Sequence, residues 1–167
     1  MSVQNNSLPS WLPAFVEMRN WDTYLVDLVS LFEEDWENAP PQFQGLPVRY
    51  DHVKNNLQVP KGIWKVISQE SPNTGQRIFD SIRGERILWI RSIIEAYAEG
   101  EADVLHYTQT TKNSKNRTVT RDILFLDIEH YCHEIILERK KDYYYLVSMF
   151  QIREDCKKWR AYSRRSP

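Results

Sequence analysis

The sequence predicts an α+β fold, with N-terminal helices packed on one face of a roughly four-stranded antiparallel sheet and a short basic C-terminal helix. Two observations predict it. Apolar residues recur at helical spacing before Gly100, whereas apolar and alternating runs dominate from Asp103 onward. When helices come first and strands follow, the sheet is typically antiparallel and packs one face on the helices.

Length and composition predict one ordinary domain. The chain has 167 residues, of which 41% are hydrophobic and 13% aromatic, enough to bury a core. We expect residues 1–19 to form an N-terminal extension and residues 20–167 a single α+β domain. The sequence holds no apolar stretch of transmembrane length and no basic start followed by an apolar segment. We therefore expect a cytoplasmic protein without a membrane partner.

Two segments have the pattern of amphipathic helices. The first begins after Asn20, a suitable N-cap, and ends before the prolines at 40 and 41. The second covers residues 86–98 and stops at Gly100. Residues 63–67 are apolar but too few to classify. The apolar stripes are Trp21, Tyr24, Leu25, Leu28, Phe32 and Trp36 in the first helix, and Ile87, Ile90, Ile94 and Tyr97 in the second.

The strands are predicted at residues 103–110, 123–126, 133–139 and 143–152, with a hairpin turn at residues 112–116. In the last strand, strict alternation separates two sets of side chains. One face would carry Tyr144, Leu146, Ser148, Phe150 and Ile152, and the other Tyr143, Tyr145, Val147, Met149 and Gln151.

The net charge of -1 conceals a separation of charge along the chain. Residues 22–37 carry six acidic side chains and no basic one, whereas residues 153–165 carry six basic side chains against two acidic ones. The basic tail could bind a polyanion, or the two segments could pair within the fold. Both interpretations are open at the level of the sequence.

Candidate chemistry comes mainly from basic side chains, because the sequence has no Gly-rich phosphate loop, no zinc-ligand spacing and no Ser-His-Asp order. Four arginines crowd the approach to the second helix: Arg77, Arg83, Arg86 and Arg91. A guanidinium group can hold phosphate, or these groups can pair with nearby glutamates. The lone hydroxyl of Ser148 either satisfies a backbone group or forms the polar part of a pocket floor.

Four blocks in order, residues 64–70, 77–95, 123–126 and 143–152, resemble a family of small proteins of phages and mobile elements. That family is similar to ribonucleases of the barnase, EndoU, colicin and RelE fold group. The most specific block is Glu85-Arg86-Ile87 with Trp89 and Ile93-Ile94-Glu95. The resemblance covers about residues 20–160.

The resemblance implies metal-independent RNA cleavage without a cofactor: a base activates the ribose 2'-hydroxyl, an acid protonates the 5'-oxygen, and cations stabilise the phosphate. It also implies RNA as partner, on the ribosome for RelE-like relatives, and a protein partner such as an antitoxin. This chain departs at Lys65, where relatives carry histidine, and at Ser148, where they carry threonine. Lys65 can act as a base if burial or neighbouring cations lower its pKa.

The leading hypothesis is a toxin-like endoribonuclease. Its candidate catalytic residues are Lys65, Arg86, Ser148 and Tyr144, and its candidate substrate-binding residues are Arg83, Arg91, Lys157 and Lys158. No metal site is expected. The alternative is a non-catalytic interaction or regulatory module of the same fold, whose acidic first helix and basic tail dock a protein partner.

Overall fold

The computed structural model describes residues 8–128 and 131–151. The helices and strands of these residues, in chain order, are α1 (Trp21–Glu37), β1 (Gln42–Phe43), β2 (Leu46–Arg49), α2 (Lys61–Ile67), β3 (Ser68–Glu70), β4 (Arg77–Phe79), α3 (Ser81–Gly84), α4 (Trp89–Glu99), β5 (Val104–Lys112), β6 (Thr118–Ile128), β7 (Tyr131–Arg139) and β8 (Tyr144–Gln151).

The main sheet is mixed and, in the described part of the chain, has six strands in the order β1-β2-β8-β7-β6-β5. The α+β class is confirmed, but the prediction of a four-stranded antiparallel sheet is wrong. Strands β5 to β8 form an antiparallel meander, and β2 extends it by pairing parallel to the start of β8, with Val48 opposite Tyr144. The short β3 and β4 form a separate antiparallel pair.

One face of the main sheet, called the first face, packs on α4 and contributes Leu124, Leu126, Ile135 and Leu137 to the core. The predicted stripe of α1 is buried at Tyr24, Leu28, Phe32 and Trp36. These apolar side chains hold the helices against the sheet because their burial removes them from water. Trp21 differs from the prediction, since 62% of its surface is exposed.

The helix boundaries follow local signals. Asn20 caps α1, because its side-chain oxygen accepts a hydrogen bond from the backbone N–H of Asp22 at 3.0 Å. Gly100 ends α4 in a left-handed conformation with φ 82°, as predicted. The helix begins at Trp89 rather than Arg86, since the short α3 precedes it. The unclassified apolar segment at 63–67 is helical and belongs to α2.

Strand β8 contains an irregularity that strict alternation misses. Ile136 lies opposite Ser148 and Leu137 lies opposite Leu146, so Val147 is an extra residue in β8. Such a bulge shifts every following side chain to the other face. Ser148 therefore lies on the face opposite Tyr144 and Leu146, and the predicted grouping of these three side chains is wrong.

The predicted basic C-terminal helix and the basic tail at residues 153–165 lie outside the described residues. The same holds for Ile152 and for the two lysines of the tail. Among the described residues, none of the helices is both long and apolar enough to cross a membrane.

Gly62 lets α2 approach the chain at Tyr50 and Asp51. A Cβ atom at this position would lie 2.7 Å from the backbone nitrogen of Asp51 and 3.0 Å from Cβ of Tyr50. Gly62→Ala is therefore expected to lower the free energy of unfolding by about 1–3 kcal/mol, as overpacked sites do. Chemical denaturation measures this change.

The matched control is Lys61→Ala, on an exposed position of the same helix. We expect it to change the free energy of unfolding by less than about 0.5 kcal/mol. Equal stability of the two variants would contradict the close approach of α2 to residues 50 and 51.

Candidate functional site

The face of the sheet opposite the first face, called the second face, carries a mixture of charged, polar and aromatic side chains. Cross-strand pairing in β5 to β8 sets its rows, because directly opposed residues share a face. The row nearest β2 is Gln109, Arg121, Glu138 and Tyr145, the next is Tyr107, Ile123, Ile136 and Ser148, and the third is Leu105, Phe125, Glu134 and Phe150.

A cluster of charges forms where α2 borders this face. We call Lys65, Arg77, Arg121 and Glu138 the Lys65 cluster. Burial lowers the pKa of the Lys65 ammonium, the positive charges of Arg77 and Arg121 lower it further, and Glu138 opposes them. Nε of Arg121 lies 3.7 Å from Oε2 of Glu138, whose other oxygen pairs with Lys140. Burial and neighbouring cations thus lower the pKa of Lys65, which is the condition for this lysine to act as a base.

Two arginines fix the end of α2 that carries Lys65. Arg77 donates hydrogen bonds to the carbonyl oxygens of Lys65 at 3.0 Å and Ser68 at 2.7 Å. Arg83 donates to the same Ser68 oxygen at 2.7 Å, and its guanidinium lies 4.8 Å from the ring centroid of Phe150. Cations at a helix C-terminus satisfy carbonyls that have no helical partner. Arg77 and Arg83 thereby fix the backbone at the C-terminal end of α2.

The third row holds a protonatable carboxyl. Burial raises the pKa of Glu134, although a hydrogen bond from the Tyr107 hydroxyl, at 3.3 Å, favours the ionised form. The Ser148 hydroxyl is buried in the neighbouring row and has no hydrogen-bond partner within residues 8–128 and 131–151. The contacts of Ser148 therefore support neither a hydrogen bond to a backbone group nor a place in the floor of a pocket.

Of the residues singled out in the sequence, Lys65, Arg83 and Ser148 lie at the second face. Tyr144 lies on the first face, at the far side of the sheet from Lys65. Its hydroxyl donates a hydrogen bond to Oε1 of Gln44 at 3.0 Å, and its ring packs edge-on against Phe43. The structure therefore does not bring Tyr144 together with Lys65.

Arg86 is buried on the first face. Its guanidinium lies 5.3 Å from the ring centroids of Phe15, Trp89 and Tyr131, and its Nη1 lies 2.8 Å from Nε2 of His133. Because guanidinium has donors only, Nε2 of His133 must accept, so the proton of the neutral ring is on Nδ1. Arg86 thus has a filled environment away from the Lys65 cluster.

Arg91 joins α4 to α1. Its side chain pairs with Asp35 at 3.1 Å and Glu95 at 2.9 Å, and it also donates to the carbonyl oxygens of Asp35 and Ala39. The structure does not bring Arg91 to the second face. The predicted substrate-binding residues Lys157 and Lys158 lie outside the described residues.

Arg121, Glu138 and Tyr145 also belong to the candidate site, although the sequence alone does not single them out. A signal for two of the second-face acids was present, because Glu134 and Glu138 are four residues apart in an apolar strand and alternation puts both on one face. Arg121 gave no such signal, since it starts an apolar run and could have faced either side.

Neither a metal site among the described residues nor a similar known protein indicates a reaction for the second face. Within the described ranges, His, Cys, Asp and Glu side chains form no group of three or more that could hold a metal ion. No family model matches the chain, and no curated protein and no solved structure matches it. The likeness to ribonucleases therefore rests on the sequence blocks alone.

The buried His133 predicts acid sensitivity. Burial, with the positive charges of Arg86 and Arg83, lowers the pKa of His133 from 6.5 to about 3. Between these pH values the unfolded chain binds a proton that the folded protein excludes, so stability falls as pH falls, by up to about 1.4 kcal/mol per pH unit. We expect His133→Gln, which keeps an acceptor for Arg86, to remove this dependence.

Denaturant titrations at pH 7 and pH 4.5 test this. Other groups titrate in both proteins, so the difference between them isolates His133, and the wild type should lose about 2.5 kcal/mol more than the variant. Parallel losses in the two proteins would show that His133 does not titrate far below its ordinary pKa.

Proposed function

We propose that this chain acts on RNA and cleaves the phosphodiester by attack of the ribose 2'-hydroxyl. The observation that carries the proposal is the Lys65 cluster, in which a half-buried lysine has a lowered pKa and feels the charges of Arg121 and Glu138 on the second face. A lowered pKa increases the neutral fraction of a lysine, which is the form that can act as a general base, while a guanidinium of the same cluster can bind phosphate.

In the proposed reaction, the neutral Lys65 amine accepts the proton of the 2'-hydroxyl, and that oxygen attacks the adjacent phosphorus. Arg121 stabilises the negative charge of the pentacovalent phosphate. The bond from phosphorus to the 5'-oxygen then breaks, and an acid protonates this oxygen. The products are a 2',3'-cyclic phosphate and a 5'-hydroxyl, so the atoms balance without a further reactant.

Tyr145 replaces Tyr144 as the candidate acid, because it shares the second face with Glu138. Burial raises the pKa of the Tyr145 phenol, and the negative charges of Asp51 and Glu138 raise it further. The phenol therefore stays protonated at neutral pH and has a proton to give. Arg86, Arg91 and Tyr144 have no part in this version of the reaction.

The ribosome as the place where RNA is positioned, an antitoxin as protein partner and a cytoplasmic location belong to the same proposal. The first two follow from the resemblance to RelE-like ribonucleases, in which clustered lysines and arginines replace histidine. Expression in a bacterial host tests this part, since an active ribonuclease should arrest growth and its Lys65→Ala variant should not.

A second candidate function is a non-catalytic module that docks a protein through α1. Val26 and Leu31 on the outer side of this helix are 64% and 36% exposed, and they lie beside the acids Asp27 and Glu34. Exposed apolar groups flanked by charges are typical of interaction surfaces. This function predicts growth without arrest and no cleavage of RNA by the pure protein.

The decisive variant is Lys65→Arg, because arginine keeps the positive charge but does not deprotonate in proteins. If Lys65 is the base, cleavage should fall by about 10²-fold or more, and wild-type cleavage should rise with pH through the lowered pKa of Lys65. The measurement is cleavage of total RNA in EDTA, with and without ribosomes, by capture of new 5'-hydroxyl ends.

Lys61→Ala is the control here as well, since it removes an exposed lysine from the same helix. It should cleave like the wild type. Full activity of Lys65→Arg would show that Lys65 contributes only its positive charge and is not the base. Absence of cleavage by the wild type in every condition would favour the interaction module.

A further inference from the structure

An aromatic cavity opens beside the candidate site. It has a volume of about 340 Å³ and lies between α1, α2 and β4. Its lining is almost entirely aromatic or aliphatic, with one carboxylate: Trp21, Asp22, Tyr24, Leu25, Trp64 and Phe79. Cavities of this size with apolar walls and few polar groups are typical of sites for small rings.

The Trp21 indole is unusually open for so large an apolar group. It is 62% exposed, whereas the next aromatic residue of the helix, Tyr24, is 3% exposed. The Trp21 and Phe79 rings are not stacked, since their centroids are 5.7 Å apart and their planes meet at 66°, and the exposure of Trp21 leaves ring surface open to solvent. An exposed indole face beside a cavity is a platform on which a flat ring can stack.

The cavity and the Lys65 cluster share two elements, α2 and β4. Trp64 and Lys65 are consecutive in α2, and Arg77 and Phe79 are two residues apart in β4. The aromatic cavity together with the cations of the Lys65 cluster fits a ligand that has both a flat ring and a phosphate. A nucleotide unit of RNA has both, and single-stranded nucleic acids are bound by this combination of stacking and positive charge.

We propose that this cavity holds a nucleobase of the RNA next to the phosphate bound at the Lys65 cluster. The inference rests on the proposed function and adds the subsite that would position the strand. Trp21 and Phe79 supply the stacking surfaces. Asp22 accepts a hydrogen bond from an N–H group on the edge of the base, and its negative charge keeps the phosphate on the Lys65 side.

Binding of a 2'-O-methyl RNA oligonucleotide tests this, because it has no free 2'-hydroxyl and cannot be cleaved. An abasic oligonucleotide of equal length and charge is the paired ligand. Trp21→Ala should weaken binding of the base-containing strand about tenfold, as expected for a lost base stack, and leave abasic binding unchanged. Lys65→Ala should weaken the binding of both strands.

Trp21→Phe should restore most of the lost affinity, and Ser30→Ala, at an exposed position of α1 outside the cavity, should bind both strands like the wild type. Equal affinity of Trp21→Ala and wild type for the base-containing strand, or equal weakening on both strands, would overturn the base slot while leaving the proposed function standing. Absence of binding by the wild type to either strand would overturn both.

Discussion

The buried guanidinium of Arg86 is the constraint on which the first face depends. A buried charge destabilises a protein unless nearby groups compensate for its lost hydration. Here three aromatic rings, from Phe15, Trp89 and Tyr131, surround it, and His133 accepts one of its hydrogen bonds. These groups come from the N-terminal segment, α4 and β7. The segment around Phe15 therefore packs on this cluster, through the contacts of its ring with Arg86 and Trp89.

The sheet was predictable where its pairing is local and unpredictable where it is not. Strands β5 to β8 follow one another through short turns, so alternation and turn residues reveal them. Strand β2 has four residues, includes Pro47, and pairs with a strand almost a hundred positions later, at Val48 and Tyr144. Neither period nor turn chemistry encodes such a contact. No pattern in the sequence indicates the bulge at Val147, although this bulge determines on which face Ser148 lies.

The candidate site was predictable in part, because residue type identifies a group that can do chemistry but not its neighbours. Lys65 was found through the resemblance, and the structure adds the burial and the nearby Arg77 and Arg121 that lower its pKa. Arg86 and Arg91 belong to the same group of four arginines around the second helix, and residue type does not distinguish them. Their partners differ: three aromatic rings, His133 and Glu85 surround Arg86, whereas the carboxylates of Asp35 and Glu95 pair with Arg91.

Helix α2 links the core to both halves of the proposed nucleotide site. Ile63 and Val66 are fully buried, while the intervening Trp64 borders the aromatic cavity and Lys65 belongs to the charged cluster. A helix of seven residues has little stability of its own, so its position must come from tertiary contacts. Arg77 supplies one of these at the carbonyl oxygen of Lys65, and the packing of the buried side chains supplies the rest. Since stacking and proton transfer both need fixed geometry, the same packing that stabilises the fold would orient the base and the amine together.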